Sequence, residues 1–195
     1  EMVTNLSMSL VNILFNMQLM KLAGANGVSA YGIIMYVGFI FVGTYMGYSV
    51  GTAPIIGYHY GSDNKEELKN LLSKSLKLLG VIAVIMTCLA EILAKPLASI
   101  FVGYDKELLE LTIKAIRLYS LSYLISWFNI FTSSFFTALN NGLVSALISF
   151  LRTLLFQVAM VLILPAIFDI NGIWLSVTVA EFLAIIVSIT CIINN

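Results

Sequence analysis

Of the chain's 195 residues, 60% are apolar and only 10% are charged, against about 25% charged in an ordinary soluble domain. A water-soluble fold of this length needs a polar exterior that such a composition cannot supply, so lipid has to be its solvent. Ten Lys and Arg balance ten Asp and Glu, which gives no argument for nucleic-acid binding, since that wants a basic patch.

A bilayer core of about 30 Å takes about 20 apolar residues per helix. Six runs meet that requirement: 2–22, 29–60, 71–94, 111–140, 143–167 and 172–193. The expected fold is an all-α integral membrane protein, a six-transmembrane-helix bundle forming one domain over 1–195. The short alternating segments of a β-barrel are not present in the pattern. The chain opens at Glu1 with neither an initiator Met nor the basic segment of a signal peptide and enters an apolar helix at once, so it is expected to continue upstream.

The first run carries a polar stripe. At 100° per residue, Glu1, Asn5, Ser9, Asn12 and Asn16 fall within an arc of about 80°. Amides against lipid are costly, so this stripe is expected to face protein or water. The second run places Gly43, Gly47 and Gly51 at spacing four, where a neighbouring helix can approach closely. Pro54 then interrupts the backbone ladder and is a candidate helix bend. His59 stands alone near the end of this run and makes no metal site.

After the second run, Asp63 and Glu66 read as a capping box opening the third. Glu91 and Lys95, four apart, are expected to pair. Pro96 is expected to end the third helix, with Leu97 to Val102 forming a short interfacial helix. Asp105 reads as the N-cap of the fourth helix, with Glu107 favouring its dipole. The fourth run repeats the polar pattern, with Ser122, Ser126, Asn129, Ser133 and Asn140 on one face and Tyr119 and Thr137 at its edge. Two such stripes suggest one aqueous cavity shared by the first and fourth helices.

The fifth run carries Arg152 and the sixth carries Glu181. Asp169-Ile170-Asn171-Gly172 reads as the turn between them, with Trp174 at headgroup level. A mid-membrane carboxyl is a functional-site candidate. Arg152 lies 18 residues before position 170 and Glu181 lies 11 after it, a depth mismatch of about 10 Å. Direct pairing is therefore not expected, and an unpaired Glu181 would be neutral at rest and able to carry a proton. Cys88 and Cys191 fall inside apolar runs and read as small core residues. No nucleophile elbow, phosphate loop, zinc spacing or dinucleotide fingerprint occurs, so the chain does not read as an enzyme. Lys and Arg divide five against five between the two sides, and only the lysine cluster over 65–77 favours a cytoplasmic loop there.

Several stretches carry a family likeness in their order and spacing. They are Phe15-Asn16, Ala30-Tyr31-Gly32-Ile33, Pro54 to Gly61, Phe135 to Gly142, Leu151-Arg152-Thr153, Leu164-Pro165 and Gly172-Ile173-Trp174. Together they resemble the carboxy-terminal half of the MATE multidrug exporters, in particular the MepA-like branch. The resemblance implies a twelve-helix protein of two six-helix lobes, of which this chain is one and the amino-terminal lobe its partner. It implies residence in the cell's inner (plasma) membrane, with the amino end and the 62–67 loop cytoplasmic. It implies export of small organic, mostly cationic substrates from a cavity between the lobes, in exchange for Na⁺ or H⁺ and with no other cofactor. The acids of the Na⁺-coupled branch fall near Ser9 and Asn129 and are absent here. A lipid-linked oligosaccharide flippase of similar fold, or a non-transporting membrane scaffold, are the alternatives.

Overall fold

The computed structural model describes the backbone of residues 2–194 and the side chains of residues 7–194. Glu1 and the side chain of Asn5 lie outside the described residues. The chain is helical almost throughout: α1 (Met2–Gly61), α2 (Lys65–Val102), α3 (Lys106–Ser120), α4 (Tyr123–Ala138), α5 (Gly142–Phe150), a π-helical stretch (Leu151–Phe156) and α6 (Gln157–Asn194).

Three stretches are long and apolar enough to cross a bilayer: 7–61, 65–102 and 142–194. The first and last are 55 and 53 residues long, about 80 Å of helix at 1.5 Å per residue, far more than one crossing. Each is broken once. In α1 the break is Gly24 (φ 61, ψ −149), and in α6 it is Asp169 (φ 50, ψ −137). With α3 and α4 forming one further crossing, the chain makes an antiparallel bundle of six: 2–23, 25–61, 65–102, 106–138, 142–168 and 170–194. It is an all-α integral membrane protein.

Both corners use the same device. Three residues after the positive-φ position comes a glycine, Gly27 or Gly172, and the residue it meets lies eight positions back. A Cβ on Gly27 would sit 3.1 Å from the Leu19 carbonyl oxygen, and one on Gly172 would collide with the carbonyl of Leu164. Hydrogen at these positions lets the returning helix leave the corner in contact with the incoming one.

Elsewhere the boundaries depart from expectation. The helix runs through Pro96 to Val102, so the expected interfacial segment is the last turns of α2. Proline is tolerated there because packed neighbours stabilise the helix around the missing bond. The cap of α2 is Asn64, whose side chain accepts from the Glu67 amide, rather than Asp63. Asp105 does cap α3, accepting from the Leu108 amide at 3.1 Å. Between α3 and α4 the chain stays close to helical. The Ser122 amide and hydroxyl both donate to the Tyr119 carbonyl, at 2.9 and 2.7 Å.

The small-residue face that packs is on α2: Ala83, Thr87, Ala90, Ala94 and Ala98 are buried at helical spacing. The opposite face presents Val81, Val84, Ile85, Leu89 and Ile92 outward, which suits acyl chains. Aromatic rings fill the centre, with Phe15 stacked on Tyr31 and Phe41 on Tyr123 at centroid distances of 4.9 and 4.1 Å. Trp174 is fully buried within the bundle, five residues after the Asp169 corner. Gly43, Gly47 and Gly51 face open space on the surface of the bundle, not another helix of the chain.

The corners yield a test. Gly24 occupies a backbone region open essentially only to glycine, where another residue carries about 1–3 kcal/mol of strain. Gly24→Ala should lower the melting temperature of the detergent-solubilised protein by roughly 3–8 °C. Asp169→Gly should raise it, because Asp169 holds a similar conformation with a side chain. Equal melting of Gly24→Ala and the wild type would mean the corner carries no such strain.

Candidate functional site

The most consequential polar cluster sits at the interface of α4, α6 and the π-helical stretch. Glu181 on α6 is 1% exposed. Its Oε1 accepts from Arg152 Nε at 2.7 Å, forming an ion pair whose arginine side chain is 17% exposed. Its Oε2 accepts from Asn129 Nδ2 at 2.7 Å, and the same amide nitrogen donates to the Glu181 carbonyl at 3.0 Å. Ser188 Oγ, two turns further along α6, donates to Asn129 Oδ1 at 2.8 Å. Asn129 is fully buried. Both carboxylate oxygens are therefore engaged, one by a charge and one by an amide whose own acceptor is also satisfied. Buried charge persists only with this kind of pairing.

This corrects the expectation that Arg152 and Glu181 are too far apart in depth. The corner falls at Asp169, so Arg152 lies 17 residues before it and Glu181 lies 12 after. The offset is five residues, about 7.5 Å along the axis, which an extended arginine side chain reaches across. Arg152 also stands on the π-helical stretch Leu151–Phe156, whose wide turn redirects side chains and which recurs at functional sites. With a guanidinium at 2.7 Å, Glu181 is not unpartnered.

The other sequence-derived residues distribute as follows. Asn12 is on the outer surface of the bundle, its Oδ1 accepting from the Tyr31 hydroxyl at 2.7 Å. Asn16, half-buried one turn on, donates to the Asn12 carbonyl at 2.9 Å. Ser133 faces α5, with its hydroxyl 2.9 Å from those of Ser145 and Ser149. Ser126 is buried, and among the described residues neither its hydroxyl nor that of Thr178 has a partner. Each precedes a member of the cluster by one helical turn, Ser126 before Asn129 and Thr178 before Glu181. Pro54 is exposed within a continuous helix. The two stripes are thus not brought onto one surface: the described residues of the α1 stripe, Ser9, Asn12 and Asn16, lie toward the outside of the bundle, and the α4 stripe looks into α5 and α6.

Glu91 does not pair with Lys95. Its Oε1 accepts from the Ser120 hydroxyl at 2.8 Å and its Oε2 lies 3.9 Å from Arg117 Nε, tying α2 to α3. No group of three or more metal-ligating side chains occurs among the described residues. Ser188 is the site residue that sequence reasoning missed. Its spacing of seven from Glu181 puts it on the same helical face, which was the available signal.

The family model for MatE matches residues 2–163. The chain belongs to the MATE family. Members are transporters, not enzymes. A MATE transporter solved in complex with MaL6 superposes with a TM-score of 0.87 at 22% identity, covering 95% of this chain and 42% of that one. An outward-facing multidrug resistance MATE transporter of the MOP superfamily gives 0.88 at 22%, with the same coverage. A variant of a Vibrio cholerae MATE transporter gives 0.88 at 16%, covering 100% of this chain and 45% of that one. The chain thus spans less than half the length of these structures and corresponds to one six-helix lobe of a two-lobed fold. Among curated proteins, none matches the chain by sequence.

The ion pair makes a thermodynamic prediction. Arg152→Met leaves a buried carboxylate without its counter-charge and should cost about 3–5 kcal/mol. The double variant Arg152→Met/Glu181→Gln should recover most of that loss, since Gln can still accept from Asn129. Melting curves of the two single variants and the double complete the cycle. A double variant no more stable than Arg152→Met would refute the pairing energetics.

Proposed function

We propose that this chain is the carboxy-terminal lobe of a secondary-active multidrug exporter. In this reading it sits in the plasma membrane, packs against an amino-terminal lobe, and expels small organic cations in exchange for Na⁺ or H⁺. The observation that carries the reading is the outward polar face of α1. Asn12 and Asn16 lie on the surface of a transmembrane helix, where amides turned to lipid would be costly. Gly43, Gly47 and Gly51 are likewise exposed with nothing against them. The exposed face of α2 is aliphatic instead. Such asymmetry suits a lobe with one face toward lipid and one toward a second lobe and an aqueous cavity between them.

Asn12 and Asn16 are then the substrate-facing residues, supplying hydrogen-bond acceptors without a cationic wall that would repel organic cations. Glu181 is the candidate coupling acid, held at rest by Arg152. A proton or Na⁺ would compete with the guanidinium for its Oε1, and Asn129 would report the exchange to Ser188. Pro54 gives the second span a place to bend as the lobes rock.

The test is efflux of ethidium from drug-sensitive cells expressing the protein at its natural length, with imposed Na⁺ and pH gradients. Gradient-dependent efflux is expected, and its absence in well-expressed protein would overturn the reading. Glu181→Gln should lower the rate at least tenfold or flatten its pH dependence. Wild-type behaviour of that variant would confine Glu181 to a structural role. Cysteine at Asn12 or Asn16 should react with membrane-impermeant thiol reagents while cysteine at Asn129 stays protected. Protection at all three positions would remove the cavity from the α1 face.

A further inference from the structure

A second feature, separate from the ion pair, lies at the end of the bundle where spans two, four and six finish. A cavity of about 450 Å³ opens there between the ends of α1, α4 and α6 and the first turns of α2. Its walls include Leu68, Leu72, Phe135, Phe136 and Ile192. Its mouth is polar, formed by Tyr60, Asp63, Lys65 and Lys69. These residues border the segment 62–64 that joins two membrane-spanning helices, so the mouth lies at headgroup depth and the walls extend toward the acyl region.

The charges at the mouth are available. Lys69 is exposed and makes no ion pair among the described residues. Lys65 meets only Asp63, at 3.7 Å, with both side chains at least 80% exposed. A pair so solvated is weak and readily exchanged. Glu67 is turned away, with both carboxylate oxygens accepting from Asn70 at 3.1 Å. The first turn of α2 adds no free positive end, since it carries Glu66 and Glu67 and its amides are largely taken, Lys65 donating to the Asp63 carbonyl, Glu67 to the Asn64 side chain and Leu68 to the Asn64 carbonyl. An anion placed here meets two lysines, and the only carboxylate among the residues lining the cavity is Asp63.

The geometry points to a binding site for one anionic phospholipid, its phosphate held by Lys65 and Lys69 and an acyl chain lying along Leu72, Phe135, Phe136 and Ile192. A free phosphate would satisfy the mouth and leave the apolar trough unused. A zwitterionic lipid would fill the trough but bring a cation to the lysines. Basic clefts between membrane helices at the cytoplasmic interface are the usual setting for such headgroups. The site would tie the occupancy of the α1–α2 junction to the charge of the surrounding leaflet.

Native mass spectrometry of the natural-length protein, released from nanodiscs of equal phosphatidylglycerol and phosphatidylcholine, tests this. One phosphatidylglycerol should be retained in preference to phosphatidylcholine, and Lys65→Glu/Lys69→Glu should weaken retention about thirtyfold or more. Inorganic phosphate at 10 mM, on the order of the working range for a weak anion site, should not displace the lipid. Ile192→Asn, which alters the trough and leaves the lysines intact, should also reduce retention while melting as the wild type does. Equal retention of both lipids, indifference to the lysine reversal, or full displacement by phosphate would each overturn the assignment. None of these readouts depends on transport, so a failure here leaves the efflux reading standing, and the converse holds.

Discussion

A carboxylate in the middle of a membrane helix has to be answered by protein, because hydrocarbon offers it neither charge nor hydrogen bonds. Glu181 receives that answer from three separate parts of the chain: Arg152 on the π-helical stretch, Asn129 on α4, and Ser188 through Asn129. The cluster therefore fixes the relative depth and rotation of α4, α6 and the stretch before α6 at once. Sliding α6 by one turn would strand a charge at each end of the pair. A buried pair of this kind adds little net stability over an apolar replacement, but losing one partner is expensive. Its contribution is to register.

The corners that bring these elements together are built from a second constraint. Lipid tolerates no loose backbone, so each pair of spans is joined with as few non-helical residues as possible. One residue at positive φ suffices at Gly24 and at Asp169, provided that a glycine three residues later lets the helices touch. The sequences are Gly-Ala-Asn-Gly and Asp-Ile-Asn-Gly. They share only their last two residues, which is why no repeat is visible along the chain even though the geometry recurs. Asp169 holds nearly the same φ and ψ as Gly24 but with a side chain present, so the second corner carries the backbone strain that glycine relieves in the first.

The six spans were legible in the sequence because length and hydropathy decide them, and the Asp105 cap because its chemistry is local. The failures share a cause. Pro96, the Asp63 cap and the Glu91–Lys95 pair were each read by rules that treat a helix in isolation. In the bundle, packing carries α2 past Pro96, and Glu91 finds Ser120 and Arg117 on α3 closer than its own i+4 neighbour. Counting from position 170 separates Arg152 from Glu181 in depth, but the corner falls at Asp169 and the arginine side chain spans the remaining offset. Helical spacing marks each polar stripe as one face. Which surface each face meets depends on helix rotation, and an isolated stripe does not encode it.

That rotation is where the functional asymmetry of the lobe originates. The α4 stripe is consumed inside, by Glu181, Ser145 and Ser149, and so cannot hold a substrate without rearrangement. The α1 stripe remains outside, with Asn12 restrained by Tyr31, whose ring is stacked on Phe15. The exposed amide of Asn12 is thus oriented from inside the bundle, by a hydroxyl whose ring is itself buried in the core. Other rings of the core are fixed in the same way, Tyr45 donating to the Tyr123 carbonyl and Tyr123 packing edge-on against Tyr119, so the polar face of α1 is set by the apolar packing behind it.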